Sequence, residues 1–326
     1  MFRVGLVGLG MAVTPHARSL ADLRHRVEVA YAYSPSAERR ATFAERFPVP
    51  LCDRLETILE DRSIGAVLIL TPPNTHLELV QRCAAAGKHI LLEKPLEIST
   101  ARAEKLVRSA ANVKLGIVLQ HRFRPAAEKL NEILKAGRLG ELVSASAMIP
   151  NWRPQSYYDQ PGRGTRARDG GGVLLTQGIH TLDLFLSFAG KVVEVKSFTT
   201  TSSVHRMETE DLAAAALRFE NGALGVVHAT TAAYPGFPER IELIGARGTA
   251  LLEGTSLKVN LQDQPTIEFS TPSGSGGTGA DPMAFPHDWH RSLLADFLDA
   301  IEQNREPRVN GEEALKVHRF IDALLN

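Results

Sequence analysis

The chain has 326 residues and carries 37 basic and 37 acidic side chains, so its formal net charge at pH 7 is zero. That length holds two domains of ordinary size, and the even balance excludes a global field that would draw the protein to nucleic acid or an anionic membrane. Two cysteines, Cys52 and Cys83, give no disulfide framework and no metal-ligand cluster and suit a reducing cytoplasm. No apolar run reaches the ~18 residues of a spanning helix. The expected partner is therefore a small molecule.

Phe2 to Val7 has an apolar strand pattern, followed by the turn Gly8-Leu9-Gly10-Met11-Ala12-Val13 and a helix through His16, Leu20 and Leu23. Gly8 permits the tight turn, and Gly10 lets the backbone approach a pyrophosphate seated on the helix amino terminus. The usual third glycine is Val13, so the fingerprint is incomplete. Residues 1 to 13 imitate a signal peptide only weakly, because glycines interrupt the apolar run and no clear cleavage site follows.

The second strand, Val27 to Tyr33, ends at Ser34, about where an acidic residue would hold an NAD ribose. None is present. Ser34 with Arg39 and Arg40 offers a hydroxyl and two guanidinium groups to a 2′-phosphate, which favours NADP(H) over NAD(H). The alternative is that Ser34 caps the next helix and both arginines are solvated.

Ala66 to Leu70 is the next buried strand, closed by Thr71-Pro72-Pro73-Asn74-Thr75-His76, after which Leu77 to Ala86 has helical spacing. The prolines stop the strand, Asn74 or Thr75 caps the helix, and the loop is expected under the nicotinamide half of the cofactor, with His76 as a helix-start contact. Gly87 ends that helix. Ile90, Leu91 and Leu92 then form a buried strand that stops at Glu93-Lys94-Pro95, since a charged pair followed by proline does not continue a central strand. Lys94 thus sits at a strand's carboxyl end, where open parallel sheets bind ligands. Ser99 to Val107 reads as a helix and Lys114 to Leu119 closes the sheet. Strands alternating with helices make residues 1–121 a Rossmann domain, a doubly wound parallel sheet.

Gly8-x-Gly10 with His16, Thr71-Pro72-Pro73 with His76, and Gly87-Lys88-His89 leading to Glu93-Lys94-Pro95 resemble the Gfo/Idh/MocA family of glucose-fructose oxidoreductases and inositol dehydrogenases, over the length of the chain. The resemblance implies a nicotinamide-dependent oxidoreductase acting on sugars, sugar acids or cyclitols. It also gives Lys94 a part in proton transfer and substrate binding.

Residues 122–326 are expected to form a second α+β domain for substrate binding and oligomerisation. Gln120-His121-Arg122-Phe123-Arg124-Pro125 marks the crossover, and Arg122 and Arg124 serve either a polar substrate or the domain interface. Leu142 to Ile149 starts a strand. The long polar loop from Pro150 to Arg168 then carries Trp152, Arg153, Tyr157 and Tyr158; aromatic faces and arginine forks suit hydroxylated or anionic ligands, or equally a subunit contact.

Gly170-Gly171-Gly172 precedes a helical pattern from Val173 through Leu186, which sets Thr176, His180 and Asp183 on one face. His180 beside Asp183 is a candidate general acid or base. The family resemblance places a catalytic aspartate where this chain has Thr176, and threonine is no carboxylate base. Either His180 with Lys94 then handles the proton, with Gln177 or Thr176 as a hydrogen-bonding partner, or the activity has changed.

From Val192 to about Phe269 the chain alternates apolar and polar residues, with an Asn221-Gly222 hairpin signal, as in a large, mostly antiparallel open sheet. One sheet face is left partly apolar, which predicts a homodimer or homotetramer. Ser270 to Gly279 reads as a mobile loop. His287 and His290 lie one turn apart without a third ligand, so no metal is expected. His290 to Ile301 and Glu312 to Leu325 close the chain as amphipathic helices. Two rival functions are a cis-dihydrodiol dehydrogenase, which the Trp152 and Tyr157/Tyr158 loop also accommodates, and a non-catalytic NADP(H)-binding sensor.

Overall fold

A computed structural model describes residues 1–271, 278–279 and 286–326. These residues form two compact units, 1–119 with 287–315, and 120–286 with 316–326. Most of the glycine- and serine-rich stretch 270–279 lies outside the described residues. None of the described helices is long and apolar enough to cross a membrane.

In the first unit the strands are β1 (Phe2–Val7), β2 (Val27–Tyr33), β3 (Leu51–Cys52), β4 (Ala66–Ile69), β5 (His89–Leu92) and β6 (Leu115–Ile117). They form one sheet in the order β3-β2-β1-β4-β5-β6, and every pairing is parallel. Alternating with them are α1 (Val13–Asp22), α2 (Ala37–Ala44), α3 (Glu56–Glu60), α4 (His76–Ala85) and α5 (Thr100–Ser109). The four residues of β4 are wholly buried, the continuous apolar run of a strand covered on both faces. Burial of each Val, Leu or Ile there contributes about 1.5–3 kcal/mol. The strand order reverses between β1 and β4, the switch point outside whose carboxyl edge doubly wound sheets bind ligands.

The doubly wound reading of this half is what the structure shows. It adds β3, a two-residue strand following Pro48 and Pro50, too short to leave a pattern in the sequence. The helix Asp288–Glu302, in the second half by sequence order, belongs to this unit and packs on α1. Residues 309 and 310 also return to β6: Ile117 N–H donates to Val309 O at 2.9 Å, and Gly116 bridges Asn310.

The second unit is built on an eight-stranded sheet. Its strands are β7 (Leu142–Pro150), β8 (Val192–Thr200), β9 (Leu212–Phe219), β10 (Leu224–Thr230), β11 (Arg240–Gly245), β12 (Gly248–Glu253), β13 (Ser256–Leu261) and β14 (Ile267–Ser270), in the order β14-β13-β12-β11-β7-β10-β9-β8. All pairings are antiparallel except β7 with β10. The expected hairpin is present: Gly222 has φ 86° and Asn221 Oδ1 accepts from Ala223 N–H at 3.1 Å. Helices α6 (Pro125–Lys135), α8 (Val173–Thr176) and α9 (Ile179–Ala189) pack on one sheet face, and a short α7 (Gln155–Tyr158) lies in the polar loop. On the other face Phe198 is 87% exposed, and Leu224, Val226 and Ile244 are also exposed.

Sequence periodicity expects one helix from Val173 to Leu186, but the structure breaks it at Gln177-Gly178. Gly178 N–H reaches back five residues to Val173 O at 2.7 Å. A Cβ at Gly178 would lie 3.0 Å from that oxygen. The wide turn resets the helical phase, so the face shared by Thr176, His180 and Asp183 does not follow from a 3.6-residue count.

Candidate functional site

In the first unit the predicted groups gather at the carboxyl edge of the parallel sheet. Gly8 follows β1 with φ 102°, its N–H donates to Tyr33 O at 2.9 Å, and a Cβ there would lie 2.8 Å from the carbonyl carbon of Leu70. Both conformation and space require glycine. At Gly10 the surroundings are open, because an added Cβ would meet only Arg39 Nη1 at 4.0 Å. Met11 is exposed and Ala12 half-buried, and the first turn of α1 has no side-chain cap and no acidic residue. Its main-chain N–H groups are suited to an anion.

Ser34 is buried. Its Oγ accepts from Ser36 N–H at 3.3 Å, and its carbonyl accepts from Arg40 Nη1 at 2.5 Å. The cap of α2 is Ser36, whose Oγ accepts from Arg39 N–H. Of the two arginines, Arg39 is therefore the one turned toward the glycine turn.

The loop after β4 is a 3-10 turn, Pro73–Thr75, in which Thr75 Oγ1 lies 2.7 Å from Thr71 Oγ1 and 2.8 Å from Pro72 O. Pro72 and Asn74 are exposed. His76 is fully buried: its Nε2 lies 2.8 Å from Thr71 O, and its Nδ1 lies 3.0 Å from Pro95 O and 3.1 Å from Leu96 O. Burial pushes its pKa down, against the raising effect of those carbonyls. The ring ties the loop after β4 to the segment after β5.

That segment holds Glu93 and Lys94, with a cis peptide between Lys94 and Pro95. Glu93 N–H donates to Ile69 O at 2.9 Å. Burial pushes the Glu93 carboxyl up, but the His16 hydrogen bond and the charges of His16, Lys94 and His290 more than offset it, holding the group below its usual range. His16 Nε2 lies 2.8 Å from Glu93 Oε1, and Lys94 N–H donates to Glu93 Oε2 at 3.1 Å. Lys94 is half-buried. Downstream, Glu97, fully buried, accepts from Leu77 N–H at 3.3 Å, Ile98 N–H at 2.6 Å and Arg102 Nη2 at 2.8 Å. Two buried carboxylates thus flank the lysine.

In the second unit Glu210 organises the glycine run. Gly172 N–H donates to Glu210 Oε2 at 2.9 Å and Leu174 N–H to Oε1 at 3.1 Å, while Val173 N–H donates to Glu210 O at 2.8 Å. Burial pushes the Glu210 carboxyl up against these bonds. Thr176 Oγ1 lies 2.6 Å from Gly172 O and touches Gln177 Oε1. His180 stacks on His121 with ring centroids 4.9 Å apart. His121 Nε2 lies 2.5 Å from Arg124 Nη2, and a guanidinium only donates, so this nitrogen is the acceptor and the His121 proton sits on Nδ1. Arg124 also donates to Glu239. Arg122 forks onto Asp183, Nε to Oδ2 and Nη2 to Oδ1, each 2.7 Å.

The polar loop is anchored by its own residues. Arg153 is buried and donates to Trp152 O at 2.7 Å and Gly279 O at 2.5 Å. Tyr158 is buried and donates to Thr231 Oγ1 at 2.8 Å, and burial pushes its phenol up. The Trp152 ring lies 6.0 Å from His205, whose Nδ1 meets Asp211 Oδ2 at 2.7 Å and whose Nε2 meets Arg153 O at 2.8 Å. Sequence reasoning missed Glu210, His205, Asp211 and Glu239, whose partners are 6 to 115 residues away; no short motif joins them.

Comparison with known proteins gives two family matches, "Oxidoreductase family, NAD-binding Rossmann fold" over residues 2–121 and "GFO/IDH/MocA C-terminal domain" over residues 127–251. The chain is 28% identical over 323 residues to myo-inositol 2-dehydrogenase of Thermotoga maritima, covering 95% of this chain and 91% of that protein. It is 28% identical to inositol 2-dehydrogenase of Rhizobium meliloti, covering 98% and 95%. Among solved structures, the WlbA dehydrogenase of Chromobacterium violaceum in complex with NADH and UDP-GlcNAcA matches with TM-score 0.85 at 25% identity, covering 99% and 92%. Levoglucosan dehydrogenase in complex with NADH and levoglucosan matches with TM-score 0.87 at 21% identity, covering 99% and 96%.

Proposed function

The chain belongs to the GFO/IDH/MocA family of oxidoreductases, and from that premise we propose that it oxidises or reduces one carbon of a sugar, sugar acid or cyclitol, with Lys94 and His180 handling the proton. The observation that carries the reading is the placing of Lys94. It leaves the carboxyl end of β5, in the sheet whose β1 ends at Gly8, on a segment fixed by Glu93, His76 and Glu97. The required Gly8 turn and the open backbone at Gly10 fit a dinucleotide, and a bound nicotinamide supplies hydride transfer at C4.

In oxidation, His180 takes the hydroxyl proton and the Lys94 ammonium stabilises the developing oxyanion; reduction reverses both roles. Thr176 has no carboxylate to offer, which leaves the proton to His180. Arg39 beside Gly10 supports NADP(H), while the NADH in the similar structures supports NAD(H) as the second reading. Cys83, buried with its thiol pushed up to about 12, is an unreactive thiol of the kind a cytoplasmic protein carries. The apolar open face around Phe198, Leu224 and Val226 supports a homodimer or homotetramer through the sheet, and a monomer by light scattering would remove that assembly.

The test is reduced-nicotinamide absorbance with NADP⁺ or NAD⁺ and a panel of cyclitols, aldoses and aromatic cis-dihydrodiols. Turnover separates an enzyme from a sensor, and the panel separates polyol from dihydrodiol. Lys94→Ala is expected to lower kcat by about 10²–10⁴ with cofactor affinity little changed. An undiminished kcat rejects the assignment.

A further inference from the structure

Behind Lys94 the structure buries an acid and two imidazoles that the reaction above does not use. Glu93, His16 and His290 are all buried and their ligating atoms lie within 4.8 Å of one another. They come from three distant parts of the chain: the end of β5, the middle of α1, and the helix Asp288–Glu302. Glu93 is ionised, so it only accepts, and the His16 nitrogen 2.8 Å away, Nε2, must carry a proton. His290 stands edge-on to His16, centroids 5.0 Å apart at 90°. Burial drives its pKa down to about 3, so it enters the group as a neutral ring. The second Glu93 oxygen accepts the main-chain N–H of Lys94 at 3.1 Å.

We propose that His16, through its hydrogen bond to Glu93, is a positioning residue for Lys94, fixing the carboxylate that accepts that residue's main-chain N–H. The proposal rests on the role given to Lys94 above. Without the His16 donor the buried carboxylate is no longer held in this position, so its charge is no longer fixed beside Lys94. The charged and titratable groups facing Glu93 are His16 from α1, His290 from the helix Asp288–Glu302 and Lys94 itself. His287 acts on His290 from the start of that helix. His76 and Glu97 hold the far side of the segment. Since Lys94 favours the ionised Glu93, the reciprocal holds: an ionised Glu93 favours the ammonium form of Lys94.

Competitive acetylation with acetic anhydride, followed on the Lys94 peptide by mass spectrometry between about pH 7 and about pH 11, reads the titration of that amine without any substrate. In His16→Leu and in Glu93→Gln the midpoint is expected to fall by on the order of one unit. His16→Gln keeps an N–H donor and is expected to stay near the wild-type value. With the best substrate of the panel, His16→Leu lowers kcat about tenfold, leaves the cofactor KM within about threefold and moves the alkaline limb of the pH profile downward.

If His16→Leu does not fold, Glu93→Gln carries the labelling test alone. An unmoved Lys94 midpoint in the folded variants overturns this inference even where Lys94→Ala is inactive. A fully active Lys94→Ala overturns the catalytic assignment instead, so the two failures are distinct.

Discussion

Arg122 and Asp183 meet as a two-pronged pair, with both carboxylate oxygens accepting at 2.7 Å and Asp183 only 1% exposed. The pair links the turn Gln120–Phe123 to α9, three residues beyond His180. Arg122→Ala leaves a buried carboxylate without its fork and is expected to destabilise the protein by about 3 kcal/mol, read from the midpoint of urea unfolding. Arg122→Lys, with one point of donation in place of two, is expected to recover only part of that. Unchanged midpoints in both would show the pair to be dispensable.

Gly172 tolerates no side chain. An alanine Cβ would lie 1.7 Å from Glu210 O, against main chain that also accepts Val173 N–H. Gly172→Ala is expected to displace the start of α8, with a large fall in melting temperature and loss of turnover. Gly137, which has nothing within 4 Å of an added Cβ but has φ 65°, is the control. Gly137→Ala costs about 1 kcal/mol of backbone strain and leaves turnover intact.

The acid limit of stability follows from His290. Its folded pKa, pushed down by burial to about 3, lies below the ordinary imidazole value of 6.5, so the unfolded chain binds the proton more readily. The stability this contributes is complete above pH 6.5 and is lost as pH falls from there toward 3, in total on the order of 5 kcal/mol. Glu93, also depressed, adds a loss below the ordinary carboxyl value of 4.5. His290→Phe keeps an edge-on ring and removes the proton site. Its melting temperature should fall less between pH 7 and pH 5 than that of the parent protein, and parallel curves would refute the assignment.

In the proposed NADP(H) reading, Arg39 is the residue on which the choice of cofactor turns. Arg39→Ala is expected to weaken NADPH binding about tenfold or more while changing NADH little, measured by quenching of protein fluorescence. An equal effect on both would assign Arg39 to the shared pyrophosphate.

The sequence made most of the parallel half legible because four of its strands are apolar runs punctuated by Gly or Pro. β1, β2, β4 and β5 lie within one residue of where periodicity puts them. β3 was not legible, being two residues held by its neighbour. In the second unit the Asn221-Gly222 turn and the alternation of β9 and β10 were readable. The break at Gly178 was not, because Val173 to Leu186 has unbroken helical periodicity and only the return bond to Val173 O reveals the wider turn.

Among the candidate site residues, those beside a turn signal, such as Gly8, Thr71 and Lys94, could be singled out from the chain alone. The groups that hold them could not. His16 is 77 residues from Glu93, and Glu210 is 38 from Gly172; pairings at that distance leave no spacing rule to read.

The return of residues 287–315 to the first unit bears on how the protein is made. During synthesis the parallel sheet emerges first, yet β6 waits for Val309 and Asn310, and His16 for the ring of His290. Until residues 287–315 have left the ribosome, that half remains unsealed along one flank, and a fragment ending at residue 121 would keep the exposed seam permanently.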